Sequence, residues 1–213
     1  MTVTVYGADF SVYTRSVRMA LHEKKIAYSM ETVDPFEGDI RAHLKRHPFG
    51  KIPVLDWDGF QVYETTAILR YIEARVPSPT LLPPGAKDHA RVDQILSILD
   101  SYGFRSMVWG VYVEGTEKLV GGETVDADVV KRGLRDTRRL LKAVVELAGP
   151  GPYLVGDTVS LADLHFVSMI TYLKASPDGA AIFRRDNRLV QWWDAVSKRD
   201  SVAATRYPNE MGE

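Results

Sequence analysis

Ser11 stands in GADFSVYTRSVRMALHEK, just after an apolar run and a turn, where a helix is about to begin. A serine there caps the helix by accepting an orphan backbone N–H, or it presents its own O–H to a ligand. Pro53, in GKIPVL, opens another apolar run. As a trans residue it merely starts an edge strand; as a cis residue it leaves the N–H and C=O of Ile52 facing outward, where an extended peptide can pair with them. Glu64 and Thr65, in YETTAILRYI, lie where a strand passes into a helix. Thr65 either caps that helix, or the pair works with the free N–H groups and positive dipole of the helix start to hold a carboxylate. Lys51 is a short loop and one hairpin away, and is either solvated or placed to meet a second acidic group of the same ligand.

What the chain lacks narrows the chemistry. It has no cysteine, which excludes disulfides, a cysteine nucleophile, thiolate metal sites and protein-borne dithiol redox chemistry. A thiol in the mechanism must arrive with a ligand. The five histidines, His22, His43, His47, His89 and His165, show no metal-ligand spacing, so no metal site is expected.

The elements that must position these residues are legible from periodicity. TVTVYG alternates toward Val3 and Val5 and predicts a first strand. Val17, Ala20 and Leu21 form a helical stripe over 14–25, and AYSMETV predicts a second strand, so the first three elements form a parallel βαβ unit. DIRAHLKRH predicts a short helix. KIPVLDWDGFQVYE predicts a hairpin turning at Asp58-Gly59, and Ala67, Ile68, Tyr71 and Ile72 a further helix. Residues 1–77 therefore read as an α/β domain, βαβαββα. VPSPTLLPPGAKD, with four prolines, reads as a linker over 78–88. Residues 89–213 show helical periodicity only and read as an all-α domain, with EGTEKLVGGET as a flexible loop between two helices. Ser11, Ile52 with Pro53, and Glu64 with Thr65 then fall near the carboxyl ends of parallel strands and the starts of helices, the usual ligand crevice of an open α/β sheet.

With 27 basic against 28 acidic residues, scattered along the chain, no nucleic-acid partner is expected. No apolar run approaches a bilayer span and MTVTVYG lacks the features of a secretory signal, so no membrane association and a cytoplasmic location are expected.

The phrases VYGADFS…TRSVRMALHEK, HPFGKIPVL, YETTAILRYI and GPYLVGDTVSLADL together resemble a cytosolic glutathione transferase of the serine type, closest to the phi and theta-like bacterial members. The resemblance spans essentially the whole chain. It implies a thioredoxin-like domain that binds glutathione as co-substrate with no cofactor, a helical-bundle domain contributing the site for a small apolar electrophile, and a homodimer. Ser11 matches the serine that holds the glutathione sulfur, and Ile52, before what would be a cis Pro53, matches the residue whose backbone pairs with the cysteinyl unit. Glu64 and Thr65 match the pair that grips the γ-glutamyl end, with Lys51 near the same ligand. Thr65 replaces the commoner serine, which keeps the hydroxyl. FEGDIRAHLK lacks a convincing match for the basic residue at the glycyl carboxylate, for which Arg41 is the best candidate.

Glutathione's thiol starts near the cysteine reference of ~8.5, so the enzyme must stabilise the anion. Lowering that pKa by about two units takes about 2.7 kcal/mol. One neutral hydrogen bond to a charged sulfur supplies roughly 1.5–3 kcal/mol and a helix N-terminus ~0.3–1 kcal/mol. Ser11 is then a donor and not a nucleophile; no Gly-x-Ser-x-Gly elbow surrounds it. Tyr6, at the end of the first strand, is the alternative donor. Phe10, Phe36, Trp109 and Tyr112 are candidates for the electrophile site and equally for ordinary core. Ser160 and Asp163, in SLADL, read as a capping box that serves stability. Peroxide reduction by glutathione, or a binding protein on the same fold without chemistry, are the alternatives to conjugation.

Overall fold

The structure, a computed structural model, describes residues 1–36 and 40–207. Glu37, Gly38 and Asp39, within the stretch where a glycyl-carboxylate ligand is expected, lie outside the described residues. The chain forms two compact units, one of residues 1–81 together with the chain from Arg199, the other Leu82–Lys198.

The first unit runs β1 (Val3–Gly7), α1 (Val12–Glu23), β2 (Ser29–Thr32), α2 (Arg41–Leu44), β3 (Val54–Trp57), β4 (Phe60–Tyr63) and α3 (Thr65–Arg75), which is the expected βαβαββα order. The sheet has the order β2-β1-β3-β4. β1 and β2 are parallel, while β3 pairs antiparallel with both β1 and β4. Asp58 and Gly59 both adopt left-handed φ, 52° and 86°, the backbone that a two-residue hairpin loop needs to match strand twist. Alternation sends Val3 and Val5, with their partners Trp57 and Leu55, to one face, where Trp57 meets Tyr71 of α3 edge-on and α1 packs on α3. Val17, Leu21, Leu55, Ile68, Leu69 and Ile72 are fully buried, each contributing about 1.5–3 kcal/mol of burial. Tyr6, Val54 and Tyr63 point to the opposite face, covered by the chain following α2: the Arg46 guanidinium lies 4.2 Å from the Tyr6 ring centroid, and the His47 and Tyr63 rings are 4.6 Å apart.

Two polar networks close this unit. The buried Lys24 ammonium pairs with Glu73 and donates to the Pro79 carbonyl (2.6 Å), while Glu73 also accepts from Thr80 Oγ1 (2.8 Å) and Leu81 N–H (3.0 Å). Residues 79–81 of the expected linker are thereby fixed to the first unit, and Ala86 already begins the next helix. At the other end of the unit's sequence, Arg199 makes a two-pronged ion pair with Glu23 (2.6 and 2.7 Å), which also accepts from Ser201 Oγ (2.5 Å). The fully buried Arg15 donates to the Val202 carbonyl (3.3 Å) and lies 4.2 Å from the Tyr207 ring centroid. These bonds hold the chain from Arg199 on α1, so the helical unit ends at Lys198, earlier than the all-α domain read from the sequence.

The regular elements of the second unit are helices: α4 (Ala86–Ile98), α5 (Lys118–Val120), α6 (Ala127–Leu147), α7 (Leu161–Ala175), α8 (Pro177–Phe183) and α9 (Asn187–Val196); α10 (Asp200–Ala203) belongs to the returning segment. Between α4 and α5 the helix continues over Leu99–Glu117 with the wider i→i+5 winding. The loop expected over EGTEKLVGGET is shorter than its glycines suggest, because Glu114 accepts from Lys118 Nζ (2.9 and 3.1 Å) and from Asp126 N–H (2.8 Å), which keeps the chain helical through Val120. α6 crosses the wide helix at Gly110 and Gly133, where a Cβ on Gly133 would stand 2.8 Å from the Gly110 carbonyl carbon. Gly133→Ala forces two backbones apart and is expected to cost about 2 kcal/mol or more in chemical denaturation. Arg132→Ala, at the exposed neighbouring position of α6, is the control, expected to stay within about 0.5 kcal/mol of the parent.

Asp163, read as a helix cap, is more than that. It is fully buried and accepts four hydrogen bonds: from Leu154 N–H and Trp192 Nε1–H on one oxygen (both 2.8 Å), and from Ser160 N–H (2.8 Å) and Oγ–H (2.6 Å) on the other. Burial pushes its carboxyl pKa up against the pull of these donors.

Candidate active site

The register explains how residues far apart in sequence share one end of the sheet. Tyr6 faces Val54 and Val54 faces Tyr63. The chain leaving β1 toward Ser11, the chain entering β3 through Ile52-Pro53, and the chain leaving β4 into Glu64-Thr65 therefore meet at the same edge. The sequence expectation puts all three at carboxyl ends of parallel strands; because β3 is antiparallel to β1, Pro53 sits at a strand's amino end and still reaches that edge.

Ser11 is the N-cap of α1, with extended backbone (φ −79°, ψ 124°), and its Oγ accepts from Thr14 N–H at 3.2 Å. A hydroxyl has one proton and two lone pairs, so capping consumes a lone pair and leaves the O–H available. Among the described residues that O–H donates to nothing. The two readings of Ser11, cap and ligand donor, are compatible.

The Ile52-Pro53 bond is cis, Pro53 is buried and Ile52 half-buried. Among the described residues no backbone partner meets Ile52. Lys51 is exposed, and its carbonyl accepts from His43 Nε2 at 2.7 Å.

Glu64, and not Thr65, occupies the N-cap of α3, and it makes no side-chain cap bond. Its backbone is left-handed (φ 68°), unusual for a residue with a side chain, and its carboxylate is two-thirds exposed. Such a backbone costs on the order of 1 kcal/mol or more and is characteristic of functional positions. Thr65 is the first helical residue, only 6% exposed, and its hydroxyl bonds to nothing among the described residues. Capping therefore does not account for either residue.

Phe10 and Phe36 stack with centroids 6.2 Å apart, and Phe36 is 71% exposed. Trp109 and Tyr112 belong to the second unit, where Tyr112 packs on Tyr172 (4.7 Å) and Trp109 remains exposed. Arg41 is exposed at the first residue of α2, while Arg46 lines a cavity of about 190 Å³ with Thr32, Asp34 and His43. From the sequence the histidines are weighed only as metal ligands. His43 and His47 instead sit buried beside the Lys51 and Glu64 segments, a placement signalled in the sequence only by their spacing of four just ahead of PFGKIPVL. No group of residues suited to a metal ion occurs among the described residues, and no helix there is long and apolar enough to cross a membrane.

Residues 5–80 match the family model for the glutathione S-transferase N-terminal domain, and residues 108–205 that for the C-terminal domain. Glutathione S-transferase F10 of Arabidopsis thaliana is 30% identical over 204 residues, 93% of this chain and 94% of its own length. Glutathione S-transferase hmp2 of Hypomyces subiculosus is 31% identical over 210 residues, 94% and 96% of the two chains. Among solved structures, glutathione transferase F7 of Populus trichocarpa shares the fold with TM-score 0.83 at 24% identity, over 96% of this chain and 97% of that one. Maize glutathione S-transferase I, in complex with an atrazine glutathione conjugate, superposes with TM-score 0.81 at 25% identity over 96% of each chain. With both halves matched and the relatives covered nearly end to end, the chain belongs to the glutathione S-transferase family of enzymes.

Proposed function

We propose that the chain binds glutathione at the edge shared by Ser11, Ile52 and Glu64, holds its thiol as thiolate, and transfers it to a small apolar electrophile. The observation that carries this reading is Ser11 itself: a buried hydroxyl whose lone pair is engaged by Thr14 N–H and whose proton has no acceptor among the described residues. Thr14 N–H fixes the oxygen, so the O–H swings only over directions that avoid α1 and is preorganised for a sulfur anion. The N-terminus of α1 adds its partial positive charge.

The rest of the ligand fits the same edge. The cysteinyl unit pairs with the N–H and C=O of Ile52, as an added strand would. The γ-glutamyl carboxylate takes the Thr65 hydroxyl and the first N–H groups of α3, and its ammonium takes the exposed Glu64 carboxylate, with Lys51 nearby. In the chemical step the sulfur lone pair forms a C–S bond as the leaving group departs with its electron pair; the thiol proton has already gone to solvent. Phe10 and Phe36, stacked on each other in the first unit, are the apolar rings proposed there for the electrophile. A cytoplasmic homodimer is part of the same reading and rests on the family.

The test is retention on immobilised glutathione followed by turnover of an activated aryl halide and of an organic peroxide. Turnover of the halide is expected; peroxide turnover alone would make reduction the activity, and binding without either would leave a glutathione-binding protein. Within the site, Thr65→Val keeps the shape and removes the hydroxyl. It is expected to raise KM for glutathione about tenfold, as for one lost hydrogen bond to a charged group, whereas Thr65→Ser stays near the parent value in the same initial-rate assay.

A further inference from the structure

We propose that His47 is a positioning residue that locks the Lys51-Ile52 segment and the Glu64 carboxylate into one glutathione-binding arrangement and releases it on acidification. This rests on the assignment of Glu64 and Ile52 to glutathione.

His47 is 2% exposed. Its Nδ1 accepts from Phe49 N–H at 3.3 Å, so the neutral ring carries its proton on Nε2. That Nε2 faces Glu64, 3.8 Å from Oε1, and the ring lies against Tyr63 with centroids 4.6 Å apart. Gly50 N–H donates to the His47 carbonyl (2.9 Å), which closes the turn leading into Lys51. One ring thus lies between the two parts of the proposed grip: it bonds the turn before Ile52 through Nδ1, and its Nε2 stands 3.8 Å from the Glu64 carboxylate. His43 backs it from α2 by donating to the Lys51 carbonyl (2.7 Å).

The ionisable groups facing His47 are Glu64 at the β4–α3 junction, His43 on α2, Lys51 on the following segment and the Tyr63 phenol on β4. Burial lowers the His47 pKa, with His43 and Lys51 acting in the same direction and Glu64 opposing. The ring is neutral at pH 7. When it protonates, Nδ1 no longer accepts from Phe49 N–H and the turn into Lys51 is freed. The imidazolium also draws the Glu64 carboxylate away from the ligand's ammonium. Both changes weaken glutathione binding.

Asparagine at this position supplies an acceptor for Phe49 N–H and a donor toward Glu64 without titrating. Glutathione Kd is therefore measured by calorimetry from about pH 7.5 to about pH 5 on the full chain, His47→Asn and His47→Ala, with circular dichroism to verify folding. The parent Kd is expected to rise severalfold across the acid range, His47→Asn to keep the neutral-pH value and stay flat, and His47→Ala to bind about tenfold more weakly throughout, with kcat little changed in the aryl-halide assay. A parent acid limb that persists in His47→Asn, or equal Kd values for all three proteins, overturns the inference alone. Failure of the parent chain to bind glutathione at any pH overturns the reading on which it rests, and the inference with it.

Discussion

Ser11→Ala is expected to lower kcat/KM for glutathione conjugation by about 10- to 150-fold, the rate equivalent of one hydrogen bond of roughly 1.5–3 kcal/mol to a charged acceptor. The loss has two measurable parts. Ultraviolet titration of the bound thiolate shows the glutathione pKa climbing back by about one to two units toward ~8.5. The rate deficit consequently shrinks as the assay pH rises. The same substitution removes the acceptor for Thr14 N–H, so the protein is also about 1 kcal/mol less stable. That loss is too small to unfold a domain and is read separately by thermal melting. Tyr6→Phe is the control. The Tyr6 ring lies under the Arg46 guanidinium on the sheet face opposite α1, and loss of its hydroxyl is expected to leave most activity. Activity that survives in Ser11→Ala and vanishes in Tyr6→Phe would transfer the donor role to Tyr6.

Asp163→Ala has the largest expected effect on stability, about 3–5 kcal/mol. The substitution strands the Leu154 N–H, the Trp192 indole N–H and the two Ser160 donors around a fully buried position. It also unties three separate pieces of the second unit: the chain before α7, the start of α7, and α9. On a chain of this size the melting temperature falls by roughly 10–15 °C. Glutathione affinity of the fraction that remains folded is expected to be unchanged, since Asp163 lies in the unit that does not contain Ser11, Ile52 or Glu64. Weakened affinity at unaltered melting temperature would contradict the assignment of Asp163 to stability.

The order and type of the elements are legible in the sequence because each is encoded locally. β1, α1 and α3 carry period-two or period-3.6 apolar patterns, and Asp58-Gly59 specifies its own hairpin. Ser160 and Asp163 advertise a helix start in the same way, but that Asp163 also binds Leu154 and Trp192 is a tertiary fact with no local trace. The wide winding of Leu99–Glu117 is not legible either, because the 3.6-residue period tests only for the i→i+4 helix and the i→i+5 form is too rare to be expected from residue types. Glu64 shows the limit most clearly. Its residue type and place before a helix point to the site, whereas its left-handed backbone, and the fact that it displaces Thr65 from the cap, depend on how β4 meets α3. His47 escapes a sequence reading because a histidine in a polar stretch says nothing of what it will be buried against.

The clasp between α1 and the chain from Arg199 also bears on how the protein is made. Ser11 lies at one end of a helix whose Arg15 and Glu23 bond to residues 199–207. The first 81 residues leave the ribosome long before that segment exists, so the nascent first unit must wait for these bonds until the whole helical unit has been synthesised. Vectorial synthesis therefore sets the order of maturation: the unit translated first is completed last.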